Sequence, residues 1–412
     1  MNKLQYYVMC LVFVMILHTN IRAQQQSDPI LLRNVFIVDV TSVSSPKKGA
    51  ILVEGTEISE VFYDKDSIAG FKGTVFDLSG KYVIPGLIDA HVHLATVPKP
   101  DLSENRKETE KVLHKMLYAG ITTVRDMAGN AVLLGYYERA SALQQIPAPE
   151  IYYAAQFAGP GYFDMINTHS DDQRQGYSPW SRIITDTTDI RQVVAEAKGA
   201  GVTGIKIYND LSAGLVKKIT AEAHRQHLQA WSHAAVFPAM PADVAVAGVN
   251  SMSHAFDMAH EVNPDMSAKM EPIDERRLDK VFGMMKANNI ILDPTNLLAE
   301  NNGLENSVRI TKRAKEKGVE IVAGTDWPYT MDNSIPLVEE LQLLVNKCGF
   351  TPFEALKSAT NTGAKAIGLN DRGIIQKGKR ADLVILSGNP LEDLNRLLNP
   401  ELIIKGGKIY KP

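Results

Sequence analysis

Between residues 84 and 368 the 412-residue chain alternates between two textures, and this alternation constrains the fold more than any other feature. Short apolar runs read as buried strands: "PGLIDAHVHL", "ITTVRDM", "EIYYAAQF", "TGIKIY", "LQAWSHA", "VNSMSHAF", "NIILDPT" and "VEIVAGTD". Each is followed by a segment with helical character. "SENRKETEKVLHKMLYAG" and "KKITAEAHRQHL" repeat apolar residues at helical spacing, and the first closes on a glycine cap. Eight βα units in roughly 285 residues suit a parallel barrel, whose usual size is about 250 residues. The expected fold class is therefore α/β, a (β/α)8 TIM-type barrel.

The flanks differ. "NVFIVDV", "GAILVEGTEISEVF" and "TVFDLSGKYV" near the start, with "ADLVILSG" and "LIIKGGKIY" at the end, read as strands divided by turn residues. Residues 29–83 and 369–412 are expected to form one small β-sandwich domain, with the barrel of 84–368 inserted between its halves. Residues 1–23 read as a secretory signal peptide: a positive start at Lys3, the apolar run Tyr6–Leu17, and a small residue before Gln24. An uncleaved anchor is the competing reading, though the run is shorter than the ~20 residues of a spanning helix. Export to the periplasm or the medium is expected, with no membrane span after cleavage. Cleavage leaves Cys348 as the one cysteine, so no internal disulfide can form. A net charge of −3 without a basic run excludes nucleic acid as a partner. A small molecule or dipeptide is expected instead, and homo-oligomerisation stays open.

In a barrel of this kind, reacting groups sit at the C-terminal ends of strands. His91 and His93 close the first strand and, two residues apart, share one face. Lys206 lies in the fourth strand, His233 ends the fifth, His254 the sixth and Asp326 the eighth. All are metal ligands or can become one. A lysine ammonium cannot ligate, but burial lowers its pKa, and the free amine can take up carbon dioxide as an anionic carbamate. His91, His93 and Asp326 would then hold one divalent ion and His233 and His254 a second, with Lys206 spanning both. A hydroxide could bridge the pair, and Asp326 is the candidate catalytic residue that moves its proton. Lys206 can also be read as an interior lysine paired with a carboxylate.

The motifs "PGLIDAHVHL", "GITTVRDMAG", "GIKIY", "SHA", "SMSHAFD", "AGTD" and "KGKRADLVIL" together resemble the amidohydrolase superfamily over essentially the whole mature chain. The branch most resembled holds imidazolonepropionase-like proteins and Xaa-Pro dipeptidases. The resemblance implies that His91, His93, Lys206, His233, His254 and Asp326 are the metal ligands, with two ions, zinc the expected metal. It implies hydrolysis of amide or peptide bonds in small substrates, such as dipeptides or N-acyl amino acids. One departure concerns substrate: "KIYNDLSAG" stands where prolidase-like members often carry a glycine-rich stretch. Two other functions stay open, a one-metal cyclic-amide hydrolase or deaminase, and a non-catalytic binding barrel.

Tyr208, two residues past Lys206, shares its face and is a candidate substrate contact, as is His260 beyond strand six. Either Tyr208 or Trp327 can equally be a packing aromatic. Arg125 and Asp126 are expected to form a buried contact shaping the barrel mouth. The long segment after strand three, with Tyr162, His169 and Trp180, is a candidate lid. His224, His227 and His114 read as solvated helix surface.

Overall fold

The computed structural model describes residues 28–63, 70–95, 102–168, 175–263, 275–301 and 303–412. The expected signal peptide and His169 lie outside these. The chain begins with β1 (Ile30–Ile37), β2 (Lys47–Glu54), β3 (Glu57–Tyr63), β4 (Thr74–Asp77) and β5 (Tyr82–Pro85). The barrel strands are β6 (Leu87–Val92), β7 (Ile121–Asp126), β8 (Glu150–Ala158), β11 (Gly204–Ile207), β12 (Gln229–His233), β13 (Ser251–Ser253) and β14 (Ile291–Asp293). A short ribbon, β9 (Tyr177–Ser178) and β10 (Ser181–Ile183), sits beside β8. The last strands are β15 (Leu383–Leu386), β16 (Leu402–Lys405) and β17 (Lys408–Tyr410).

As expected, the two ends of the chain meet. Strands β1–β5 and β15–β17 form a single eight-stranded sheet in the order β17-β16-β15-β5-β1-β2-β3, with β4 paired to β1. Residues of β1 and β2 supply its core, where Leu32, Val35, Ile51 and Val53 pack with Leu383, Ile385 and Ile404; a register shift between Leu32 and Val35 keeps both on the inner face. Glycine is required in the closing hairpin: Gly406 and Gly407 have φ of 52° and 75°, and a Cβ on Gly407 would lie 1.8 Å from the Gly55 carbonyl oxygen.

The second sheet is a nearly closed parallel barrel of seven strands from β6 to β14. Its strands are buried on both faces, which is why they read as continuous apolar runs rather than alternating ones. Each helix buries one stripe against them. The helix Ala213–Arg225 starts where the Ser212 side chain accepts from the Leu215 N–H, and it buries Leu215, Val216, Ile219 and Ala223.

The eighth expected strand is the exception. Residues 319–326 close the barrel without becoming a regular strand, joined by one isolated bridge, Leu292 with Ile321. The Ala90 N–H donates to the Ala323 carbonyl (3.1 Å) and the Asp326 N–H to the His91 carbonyl (2.8 Å), so the segment still seals the gap. It cannot run straight, because Asp326 has φ of 47° and Gly324 lies where a Cβ would be 2.4 Å from Asp293. The expected lid segment is also more ordered than a loop, forming the helix Pro160–Thr168 and then β9 and β10.

Candidate metal centre

Alternation along the barrel strands turns the polar residues inward. Asp326 receives His93 Nε2 at 3.2 Å on one oxygen and His91 Nε2 at 3.6 Å on the other. These donor atoms lie within 4.8 Å of one another. An ion bonded at about 2 Å to each fits such spacing. His254 joins from the far side, its Nδ1 3.7 Å from Asp326 and its ring 5.2 Å from that of His91. The His233 ring follows at 4.6 Å from His254. Asp326 and His254 (φ 71°) both occupy the left-handed region, a strained conformation that clusters at functional sites.

All four imidazoles are held through Nδ1. His91 Nδ1 lies 2.7 Å from Asp293, His93 Nδ1 3.1 Å from the Ala128 carbonyl, His233 Nδ1 3.1 Å from Asn209, and His254 Nδ1 3.0 Å from Thr295. For His91 and His93 this leaves Nε2 toward Asp326, as the hydrogen-bond partners of metal-bound histidines do, whereas the Nδ1 of His254 that meets Thr295 is also the nitrogen 3.7 Å from Asp326. Lys206 is fully buried and donates to Ser253 Oγ at 2.7 Å. Among the described residues no carboxylate lies within ion-pair distance of it, so the expected alternative of a lysine paired with an acid does not hold.

The electrostatics follow from burial. Desolvation pushes the Lys206 amine down to about 7; the charge of Asp293 opposes this in part and that of Arg125 adds to it. Burial also drives His233 and His254 well below the ordinary imidazole value. His93 goes the other way, up to about 9, because the bond and charge of Asp326 outweigh its burial. Burial would raise Asp326, but the surrounding imidazoles of His91, His93 and His254 hold it well below the usual carboxylate range.

Tyr208 lies over the same centre, its ring 4.4 Å from His233 and 5.3 Å from Tyr162. Its hydroxyl donates to the Met127 carbonyl at a long 3.4 Å. Tyr162, from the expected lid, accepts from Gln156 at 3.1 Å and so does border the centre. His260 is buried with its ring edge-on to Phe237 at 4.8 Å. Arg125 does not pair with Asp126: adjacent strand residues face opposite ways, and Arg125 reaches Asp293 at 3.2 Å instead. Asp126 accepts the Leu94 and Ala128 N–H groups, bracing the turn after β6. His114, His224 and His227 are exposed as expected. Sequence reasoning missed Asp293 and Ser253. Asp293 ends β14, so the strand-end rule that found the histidines covers it too.

A parallel barrel that gathers histidines and an aspartate at the C-terminal ends of its strands defines the class, a metal-dependent hydrolase barrel. The model of the amidohydrolase family matches residues 82–410, and the chain belongs to that family. It is a hydrolase acting on carbon–nitrogen bonds, and its family generally binds divalent metals. Ochratoxinase of Aspergillus niger is 25% identical over 416 aligned positions, covering 84% of this chain and 82% of that one. Imidazolonepropionase of Fusobacterium nucleatum is 25% identical, with 75% of this chain and 77% of that one covered. A Xaa-Pro dipeptidase solved with methionine in its active site has the same fold, with a TM-score of 0.78 at 22% identity, 93% of this chain and 100% of that one being covered.

Proposed function

We propose that this chain is an exported binuclear amidohydrolase that cleaves small amides, such as Xaa-Pro-like dipeptides or N-acyl amino acids. His91, His93 and Asp326 would hold one ion, His233 and His254 the other, and a carbamate on Lys206 would join them, with zinc the expected metal. The observation that carries this is Lys206: an amine with no exposure and no acid partner among the described residues, on the barrel wall between the two groups of histidines. Its Nζ would bond the carbon of carbon dioxide as one C=O electron pair moves to oxygen, and the proton lost would leave with bicarbonate. The bound ions would polarise the scissile carbonyl and make water acidic enough to attack near neutral pH.

Asp326 then moves the proton. As the water oxygen bonds to the carbonyl carbon, Asp326 takes a proton from it and hands it to the nitrogen, which leaves as the C–N bond breaks. Tyr208 is the proposed substrate contact, because its long bond to Met127 is one a substrate oxygen could replace. Export rests on the apolar run Tyr6–Leu17. The division into a terminal β domain (29–83 and 369–412) and a barrel (84–368) is proposed with it.

A one-metal hydrolase or deaminase is the second reading. It is favoured by the donor spacing, since among the described residues only His91, His93 and Asp326 form a close ligand group. A hydrolysis screen separates the two. Mature protein supplied with zinc and bicarbonate is incubated with pooled dipeptides and N-acyl amino acids, with Asp326→Asn as control. Linear amides cut by the wild type alone support the proposal; release of ammonia or opening of cyclic amides in their place supports the alternative.

A further inference from the structure

Asp293 sits at the end of β14 with no exposure, and one of its oxygens collects three donors. Oδ2 lies 2.7 Å from His91 Nδ1, 3.1 Å from Ser253 Oγ and 3.2 Å from Arg125 Nη2. We propose that Asp293 is the positioning residue of the metal centre, fixing the tautomer of His91 directly and the direction of Lys206 through Ser253. This rests on the binuclear reading above.

The direction of each bond follows from what the groups can do. A carboxylate accepts only, so the His91 proton belongs on Nδ1, and Nε2 keeps its lone pair toward Asp326. Ser253 has one hydrogen. It gives that to Asp293, which leaves its oxygen to accept from Lys206 Nζ. A carbamate nitrogen retains one N–H, and that N–H can keep the bond to Ser253, which sets the plane of the group. Thus one carboxylate orients a ligand on β6 and, across β13, a ligand on β11.

Asp293 is itself immobilised. Arg125 lies over the Trp231 ring at 4.9 Å and also donates to the Ala90 carbonyl, the Ser251 hydroxyl and the Ala366 carbonyl. On the other side Oδ1 abuts Gly324, where any Cβ would be 2.4 Å away. The carboxylate is therefore clamped between the barrel floor and the segment that carries Asp326.

Asp293 could instead serve only as the counter-ion of Arg125, and two variants distinguish these roles. Ser253→Ala cuts the branch to Lys206 and leaves the Arg125 pair intact; Asp293→Asn disturbs both branches. Stripped protein in bicarbonate buffer is titrated with zinc against a chromophoric chelator, with thermal melting as the folding control. Asp293→Asn is expected to weaken zinc binding about ten- to hundredfold. Ser253→Ala is expected to weaken the second equivalent alone, by a similar factor, at a melting temperature near wild type, and raised bicarbonate should recover part of it. Should Asp293→Asn not fold, Ser253→Ala carries the test by itself. If the wild type binds two ions and the folded variants bind both as tightly, the inference is overturned alone. A wild type that takes up one ion or none overturns the binuclear reading, and the inference with it.

Discussion

Two lysines in this protein are buried to the same degree, Lys206 in the barrel at no exposure and Lys405 on β16 at 1%. Their surroundings differ. Lys405 donates to the Ser141 carbonyl (3.0 Å) and hydroxyl (2.7 Å), with Glu150 at 3.6 Å, and so ties the terminal sheet to the barrel. Lys206 donates to one serine hydroxyl. Burial lowers both amines and carboxylate charge partly offsets it at each, Glu150 at Lys405 and the more distant Asp293 at Lys206, yet Lys206 still falls to about 7. A buried cation with its own counter-ion finishes an interface. A buried amine that lacks one is tuned for something that binds later, since burying an unpaired charge is costly.

The largest effect expected from this contrast is at Lys206. Lys206→Ala should lower amide hydrolysis about a thousandfold, the loss of several kcal/mol of metal-derived stabilisation, with melting close to wild type. A variant that turned over normally would make the two lysines equivalent and break the comparison. Lys405→Met should do the opposite. Losing the two bonds to Ser141, while Glu150 keeps its pair with Arg380 (2.5 Å), should cost about 1–2 kcal/mol in urea unfolding, and the turnover of folded molecules should be unchanged.

Glu340 sharpens the contrast with a buried acid. It accepts from the Asn296 and Leu297 N–H groups, yet burial pushes its carboxyl up to about 8. Folding therefore retains a proton that the unfolded chain, at the ordinary glutamate value of 4.5, has lost. The contribution of Glu340 is fully present below 4.5 and declines as pH rises toward 8. Between pH 6 and 7 it should fall by about 1 kcal/mol. Unfolding free energies at those pH values should show this decline in the wild type and lack it in Glu340→Gln.

Much of the site could be read from the sequence because one rule covers it. Strand ends face the mouth of a parallel barrel, so a histidine in "AWSHA" or an aspartate in "AGTD" has a place before any coordinates exist. Pairings across the barrel could not be read this way. That Arg125 meets Asp293 rather than its neighbour Asp126 depends on which face of β7 each side chain leaves. The irregular course of the eighth barrel segment is hidden from the sequence for a similar reason. "VEIVAGTD" has strand composition, but Gly324 and Asp326 bend to fit beneath His91 and Asp293, a constraint visible only once β6 and β14 stand on either side of it.

The most direct test of the central claim is the metal content of the purified mature protein. Wild type and Lys206→Ala are each loaded with zinc in bicarbonate buffer, desalted and analysed by mass spectrometry of the elements. Two ions per wild-type chain, and one or none in Lys206→Ala, are expected. Two ions in both proteins, with equal turnover, would contradict the role given to Lys206.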